Sequence, residues 1–239
     1  MQTTGLRCMM EQRYSDSSNW VTLTYANPPL SPKNLMPTVF KRDVQNFFKR
    51  LRKIPRGYSS RSIKYYLCAE YGEMGSRPHY HAIIFNSDIE SIQEAWRGEF
   101  TPTWLEHPPS KRKVFKNFQW CDAKPLYNVN LDTDIVLGTV HFDDVNENTV
   151  AYTAKYMNKG KLIPQFDGDD RHPEFQLFSL GLGEEWLTDA VKDYYRSNPD
   201  KMFVTMNGFK KPLPRFFVKK IFEGADDLLL ARAEYAVLS

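Results

Sequence analysis

Apolar and polar residues alternate along several short segments of the chain, with the two-residue period that is typical of strands. The segment NWVTLTYA, residues 19–26, is rich in β-branched and aromatic residues and stops at NPPLSP. SIKYYLCAEYG (62–72) and RPHYHAIIF (77–85) have the same character, and the Gly and Ser between them indicate a hairpin. A further strand is predicted in DIVLGTVHFDDV (134–145).

Other segments have the longer period of an amphipathic helix. In TVFKRDVQNFFKRLRK, residues 38–53, the apolar side chains form one stripe and basic side chains surround it. DIESIQEAWRG (88–98) begins with a capping aspartate and ends with a glycine, and NENTVAYTAKYMNKG (146–160) is also predicted to be a capped helix. We therefore expect an α+β domain, with an antiparallel sheet of about five strands and helices on one face. Residues 99–134 show no clear period.

Composition is that of an ordinary globular protein and leaves most function classes open. The chain has no apolar run long enough for a membrane span and no apolar core of a signal peptide near its start. Its cysteines stand far apart, which argues against a disulfide framework and against a cysteine zinc site. These residues are Cys8, Cys68 and Cys121. We expect a protein of the reducing cytoplasm.

The net charge of +3 is modest, but the basic residues are concentrated in two zones. Residues 33–64 hold ten Lys or Arg against one acid, and residues 201–220 hold six with no acid. This distribution favours a polyanionic partner, although a basic helix is also an ordinary solvated surface. Arg50, Arg52 and Lys53 are the first candidates for phosphate contacts.

Two histidines in RPHYHAIIF are candidate metal ligands. His79 and His81 are one residue apart, so on a strand both side chains point to the same face. In the predicted hairpin, Glu70 lies opposite His79 and on its face, with Glu73 as the reserve candidate. Paired imidazoles are also found as hydrogen-bonded structural features, so the pair alone leaves both interpretations open.

The helix at 146–160 is predicted to have a chemically distinct face. Tyr152, Lys155, Tyr156 and Lys159 project to one side of it, and apolar residues project to the other. A tyrosine hydroxyl can attack a phosphodiester if a metal ion polarises the phosphoryl oxygen and cations stabilise the developing charge. Tyrosines that pack at the rim of a core are the alternative.

Three motifs occur in a fixed order: VTLTY (21–25), RPHYHAIIF (77–85) and YTAKYMNKG (152–160). With the later FSLGLGEEW and MNGFKKPLPRFF, they resemble the HUH endonuclease superfamily in its rolling-circle replication initiator (Rep) branch. The likeness is strongest to initiators of gokushovirus-type microviruses, which are single-stranded DNA phages. It implies the HUH endonuclease fold in a nicking domain, here placed at 19–160. A leader (1–18) and a C-terminal extension (161–239) flank this domain.

The resemblance also implies an activity, the nicking of single-stranded DNA at a replication origin. His79 and His81, with a third ligand placed at Glu70, would hold Mg²⁺ or Mn²⁺ against the scissile phosphate. Tyr156 or Tyr152 would attack, leaving a 5′-phosphotyrosine on the protein and a free 3′-hydroxyl that primes rolling-circle replication. The enzyme would later rejoin the strand.

Further expectations come with this resemblance. Lys155 matches the lysine of the tyrosine motif, and Lys159 and Arg77 are expected to contact DNA. The sequence has no GxxxxGK[ST] motif, so unwinding is expected from a host helicase and synthesis from a host polymerase, in the cytoplasm of a bacterial cell. The oligomeric state is left open.

Two other classes of protein compete with this interpretation. A non-haem iron or cupin-like oxygenase also uses two histidines and a carboxylate, but that interpretation leaves the tyrosine and lysine face unexplained. A non-catalytic DNA-binding protein explains the basic zones but not the clustered ligands.

Overall fold

The structure is a computed structural model that describes residues 3–25, 28–55, 60–72, 76–97, 113–116, 119–122, 138–143, 145, 163–206, 208–224 and 227–238. The strands are β1 (Ser18–Tyr25), β2 (Lys64–Tyr71), β3 (Pro78–Phe85), β4 (Lys113–Lys116), β5 (Gln119–Asp122), β6 (Gly138–Asp143), β7 (Phe175–Phe178), β8 (Phe203–Met206) and β9 (Phe209–Pro212). The helices are α1 (Thr3–Gln12), α2 (Lys41–Leu51), α3 (Ile89–Arg97), α4 (Asp189–Ser197), α5 (Arg215–Ile221) and α6 (Asp227–Leu238), with a 3-10 turn at Glu184–Trp186. In these ranges, no helix combines the length and apolar character needed to cross a bilayer.

Five strands form one antiparallel sheet in the order β6-β1-β3-β2-β7, so β3 lies at its centre. This confirms the predicted α+β class and the predicted five-stranded antiparallel sheet. The segment at 99–134, which showed no clear period, contains the paired strands β4 and β5. The predicted helix at 146–160 lies outside the described residues.

One face of the sheet is covered by α2 and α3. The predicted apolar stripe of α2 is confirmed, because Val44, Phe47, Phe48 and Leu51 are all buried in the main core. Helix α2 begins three residues later than predicted. The chain before it is extended, and the backbone N–H groups of Val39 and Phe40 donate to tyrosine hydroxyls instead of entering a helix.

Helix α3 begins as predicted after Asp88. The Ser91 backbone N–H donates to Asp88 Oδ1 at 2.5 Å, which satisfies one of the unpaired donors at a helix start. Trp96 is fully buried, and its indole N–H donates to the Thr24 carbonyl at 3.1 Å. Helix α3 is thereby attached to β1.

Helix α1 differs from the expectation that the helices share one face. Its Cys8 packs with Tyr66, Cys68 and Phe85, which project from the face opposite to α2 and α3. Helix α1 therefore covers one end of that second face, and the rest of the face carries polar side chains.

A second hydrophobic core joins the two ends of the described chain. Leu6 and Met10 of α1 pack with Trp186, Phe217 and Ile221. The division into a leader, a nicking domain and an extension stays a prediction. Two facts bear on it: β7, from the predicted extension, forms an edge of the main sheet, and α1, from the predicted leader, packs against the C-terminal helices.

Candidate metal centre

Three candidate ligands lie on two neighbouring strands at the centre of the sheet. Glu70 of β2 is directly opposite His79 of β3, as predicted, and Cys68 is opposite His81. Because side chains alternate along a strand, Glu70, His79 and His81 all project to the face that lacks α2 and α3. Pairing register alone therefore brings the two imidazoles and the carboxylate together.

The atoms of these side chains converge. His81 Nε2 is 2.6 Å and His79 Nε2 is 3.0 Å from Glu70 Oε1, and the ligand atoms of all three lie within 4.8 Å of one another. Glu70 and His81 are buried, with 6% of each residue exposed, whereas His79 is partly open to solvent. The group is accessible from one side, next to His79.

Each imidazole is oriented by a hydrogen bond to its other nitrogen. His79 Nδ1 is 3.0 Å from the Arg77 carbonyl, which can only accept, so Nδ1 carries a proton. His81 Nδ1 is 2.9 Å from Thr22 Oγ1 on β1, and the ring stacks on Trp20 with centroids 5.1 Å apart. Partners of this kind hold the Nε2 atoms toward a shared ligand.

Electrostatics favour an ionised carboxylate at the centre. Burial raises the pKa of Glu70, but hydrogen bonds from both imidazoles outweigh it and bring that pKa below its ordinary value. Burial lowers the pKa of His79, and its hydrogen bonds to Glu70 and to the Arg77 carbonyl more than reverse this, so the net pKa is raised. In the structure, the His79 proton faces the carboxylate in the position that a metal cation would take.

This donor set fits a divalent metal ion. Two imidazole nitrogens and one carboxylate oxygen leave coordination positions open on an ion that prefers six ligands. Imidazole nitrogen is a poor ligand for Mg²⁺, which prefers oxygen, so the set suits Mn²⁺ better than Mg²⁺. The residues Glu70, His79 and His81 would hold the ion.

The same face carries a row of polar side chains that the sequence interpretation missed. Register places Thr22 opposite His81 on one side and opposite His141 of β6 on the other. Thr24 and Thr139 share this face, and their hydroxyl oxygens are 2.6 Å apart. The two-residue period of VTLTY and GTVHF contained this signal, because both segments alternate apolar residues with Thr or His.

The predicted DNA contacts on α2 lie on the other side of the sheet from the metal ligands. Arg50 is half-buried, and its Nε donates to the Ala95 carbonyl at 2.8 Å, which joins α2 to α3. The Arg52 guanidinium lies over the Tyr65 ring at 5.7 Å, and Lys53 is exposed. Their contact with DNA stays a prediction.

The other predicted site residues divide into two groups. Arg77 is exposed beside the metal ligands, and its guanidinium donates to the Tyr25 carbonyl at 2.5 Å. The remaining ones lie outside the described residues, and their roles stay predictions. These are Glu73, Tyr152, Lys155, Tyr156 and Lys159.

Comparison with known proteins gives consistent matches. Residues 18–161 match the family model for replication-associated proteins of the ORF2 type. Over 221 residues the chain is 24% identical to replication-associated protein ORF2 of Spiroplasma virus 4 and 26% identical to replication-associated protein VP4 of Bdellovibrio phage phiMH2K. It is 22% identical over 218 residues to replication-associated protein ORF4 of Chlamydia phage 1. No solved structure matches.

These alignments cover 92%, 89% and 89% of this chain, but 61%, 60% and 48% of the three relatives. The chain thus spans about three fifths of the length of the first two relatives. The expected likeness to replication proteins of microvirus-type phages is confirmed. The matched residues include β1, β2, β3 and β6, and with them Glu70, His79 and His81. The chain belongs to this family of ORF2-type replication-associated proteins.

Proposed function

We propose that this chain is a replication initiator that nicks single-stranded DNA at an origin by tyrosine transesterification and later rejoins the strand. The observation that carries the proposal is the group of Glu70, His79 and His81, whose ligand atoms converge within 4.8 Å on an open face of the sheet. Membership of a replication-associated protein family supplies the biological context.

The protein side chains have distinct tasks in this proposal. A bound divalent ion, Mn²⁺ or Mg²⁺, supplies polarisation of a phosphoryl oxygen. Glu70 provides the negative charge that retains such a cation, and His79 and His81 provide neutral nitrogen ligands once His79 has lost its proton. Thr22 keeps the His81 ring in position. The open side next to His79 gives the DNA backbone access.

The nucleophile is proposed to be Tyr156 or Tyr152. A bond forms between the tyrosine oxygen and the phosphorus, while the bond between phosphorus and the 3′-oxygen breaks. The tyrosine proton passes to solvent, and the departing 3′-oxygen takes up a proton. One phosphodiester is replaced by another, so rejoining needs no nucleotide. Lys155 is proposed to neutralise the phosphate.

The remaining contacts are proposed around this centre. Arg77 is exposed two residues before His79, which suits a contact to the DNA backbone near the cut. Lys159 is proposed to contact the same strand. A host helicase and a host polymerase in the cytoplasm of a bacterial cell are the proposed partners, since the names of the phage relatives identify replication-associated proteins.

A covalent adduct tests the proposal directly. Purified protein is mixed with single-stranded oligonucleotides tiled from the replicon that encodes it, with Mn²⁺ or with EDTA, and run on a denaturing gel. We expect a metal-dependent band of protein joined to DNA, lost in Tyr152→Phe/Tyr156→Phe and retained in Tyr194→Phe. Tyr194 is an exposed tyrosine on α4 and serves as the matched control.

The other outcomes are equally informative. An adduct that persists in the double Tyr→Phe protein would show that the nucleophile is wrongly assigned. DNA binding without an adduct from any oligonucleotide would support the non-catalytic DNA-binding protein. His172→Ala controls for the histidine substitutions, because His172 is exposed and lies outside the ligand group.

A further inference from the structure

The hairpin of β8 and β9 presents an exposed aromatic ring at its tip. Phe209 is 70% exposed, and it follows Gly208, whose φ of +80° makes the tight reversal possible. Register places Phe209 opposite Met206, which is buried in the second core. The ring of Phe209 therefore stands at the end of the hairpin without being part of that core.

The base of this hairpin is firmly held. The Leu213 N–H donates to the Met202 carbonyl at 2.9 Å, and the Tyr195 hydroxyl donates to the Phe203 carbonyl at 3.0 Å. Met202, Leu213 and Tyr195 are buried together in the second core. A rigid base fixes the direction in which the tip projects, so the exposed ring is presented at little conformational cost.

Both faces of the hairpin carry a lysine over an aromatic ring. Lys210 Nζ lies 4.5 Å from the centre of the Phe203 ring, and Lys211 Nζ lies 5.7 Å from the centre of the Phe209 ring. Among the described residues, neither lysine has a carboxylate within ion-pair distance. Other cations of the same basic zone differ: Arg215 pairs with Glu234 at 3.3 Å, and Lys220 pairs with Glu184 at 3.3 Å.

We propose that the β8–β9 hairpin is a second DNA contact, in which Phe209 stacks on an unpaired base and Lys210 and Lys211 neutralise the flanking phosphates. Exposed aromatic rings beside free lysines bind single strands in this way, because every base offers a ring face and the backbone supplies the negative charge. The inference rests on the proposed function only for the identity of the partner, single-stranded DNA. It assigns the C-terminal part of the chain a role in holding the strand.

The aromatic contact is tested by fluorescence anisotropy in EDTA, with the Tyr152→Phe/Tyr156→Phe protein so that no chemistry contributes. The probe is a labelled oligothymidine of about 20 nucleotides, long enough for a site of the usual size. We expect Phe209→Ala to weaken binding at least about fivefold, the lower end of base–aromatic stacking. Phe166→Ala, which removes another exposed ring, should leave affinity unchanged.

The lysines are tested by the salt dependence of the same binding. Each neutralised phosphate on a single strand contributes about 0.7 to the slope of log affinity against log salt. Lys210→Gln/Lys211→Gln should therefore reduce the slope by about 1.4. Arg215→Gln/Lys220→Gln removes the same number of charges from cations that are already paired, and should leave the slope unchanged.

Three results would overturn this inference: equal effects of Phe209→Ala and Phe166→Ala, an unchanged slope in the lysine double variant, or equally tight binding of a duplex of the same length. The covalent adduct is measured separately, with both tyrosines present. An adduct with no effect of Phe209→Ala refutes the hairpin and leaves the nickase intact. Weakened binding without any adduct has the opposite meaning.

Discussion

Two carboxyl groups on opposite faces of one sheet have opposite electrostatic environments. Glu70 lies on the open face between two imidazoles, which bring its pKa below the ordinary value. Asp43 lies on the covered face in α2, where burial raises its pKa to about 6 despite the hydrogen bond from Tyr25 and the nearby Arg50 charge. Burial disfavours the charged form of both groups, so the difference comes from their partners.

The partners also show what each face does. Asp43 Oδ2 accepts from the Tyr25 hydroxyl at 2.8 Å, and the Tyr25 and Tyr80 hydroxyls are 2.6 Å apart. This hydroxyl network is buried and connects strands to α2. Glu70 instead has two nitrogen ligands and a path to solvent beside His79. The comparison indicates that stability is concentrated on the covered face and metal chemistry on the open one.

The largest expected effect follows from converting the carboxylate on the open face to an amide. Glu70→Gln keeps the shape of the side chain but removes the charge that offsets a divalent cation. We expect Mn²⁺ affinity to fall by more than about 100-fold, beyond the effect of losing an outer partner, and the DNA adduct to disappear. Isothermal titration with Mn²⁺ measures the binding, and urea unfolding verifies that the fold is retained. Unchanged Mn²⁺ affinity would show that Glu70 is not a ligand.

The matching substitution on the covered face should change stability instead. Because the folded-state pKa of Asp43 is raised from 3.8 to about 6, the wild-type loses free energy of unfolding as pH rises between these values. Asp43→Asn removes this loss. It should exceed the wild-type stability by up to about 3 kcal/mol at neutral pH, with the difference vanishing near pH 4.

Urea unfolding of both proteins across this pH range measures the difference. Mn²⁺ affinity should be unchanged in Asp43→Asn. Asp193→Asn is the control, since Asp193 is a surface residue of α4 and should give no such pH dependence. A stability difference for Asp43→Asn that does not vary with pH would refute the assignment of a raised pKa.

The part of the centre that could be predicted depends on short-range pairing. His79 and His81 had to share a face because of their spacing, and a short hairpin fixed Glu70 opposite His79. The third strand that completes the centre, β1, contributes Thr22. Its approach to His81 depends on a pairing across 59 residues, which no local pattern specifies.

Long-range packing also explains the other differences. Strand β7 has four residues, too few for a clear period, and its place beside β2 follows from contacts across the chain. Arg50 belongs to the exposed basic side of α2 by sequence, yet it donates to Ala95 of α3. Residue type gave the charge of Arg50, but only packing against α3 determined its partner.

Thr22 provides a smaller and more selective test of the open face. Thr22→Val removes the hydroxyl partner of His81 Nδ1 while keeping the shape of the side chain. Loss of such an outer partner should weaken Mn²⁺ binding about 10- to 100-fold. Thr24→Val is the matched control on the same strand, because Thr24 bonds to Thr139 and not to a candidate ligand. Equal effects of the two substitutions would indicate a general disturbance of β1 rather than loss of the His81 partner.

The smallest expected effect is the pH dependence of metal binding at the open face. The pKa of His79 is raised above its ordinary 6.5, so around that pH the metal-free protein carries a proton on the nitrogen that a metal needs. Binding must displace this proton. Affinity should therefore be constant at high pH and fall by at most about tenfold per pH unit for this proton as the pH drops below the raised pKa. Titrations in buffers of different ionisation enthalpy count the protons released, and we expect about one at pH 6 and none well above the pKa. Because Glu70 raises the pKa of His79, the Glu70→Gln protein should release its proton only at lower pH. The same proton count in both proteins at pH 6 would mean that the carboxylate on the open face does not control its neighbour, and the contrast with Asp43 would lose its cause.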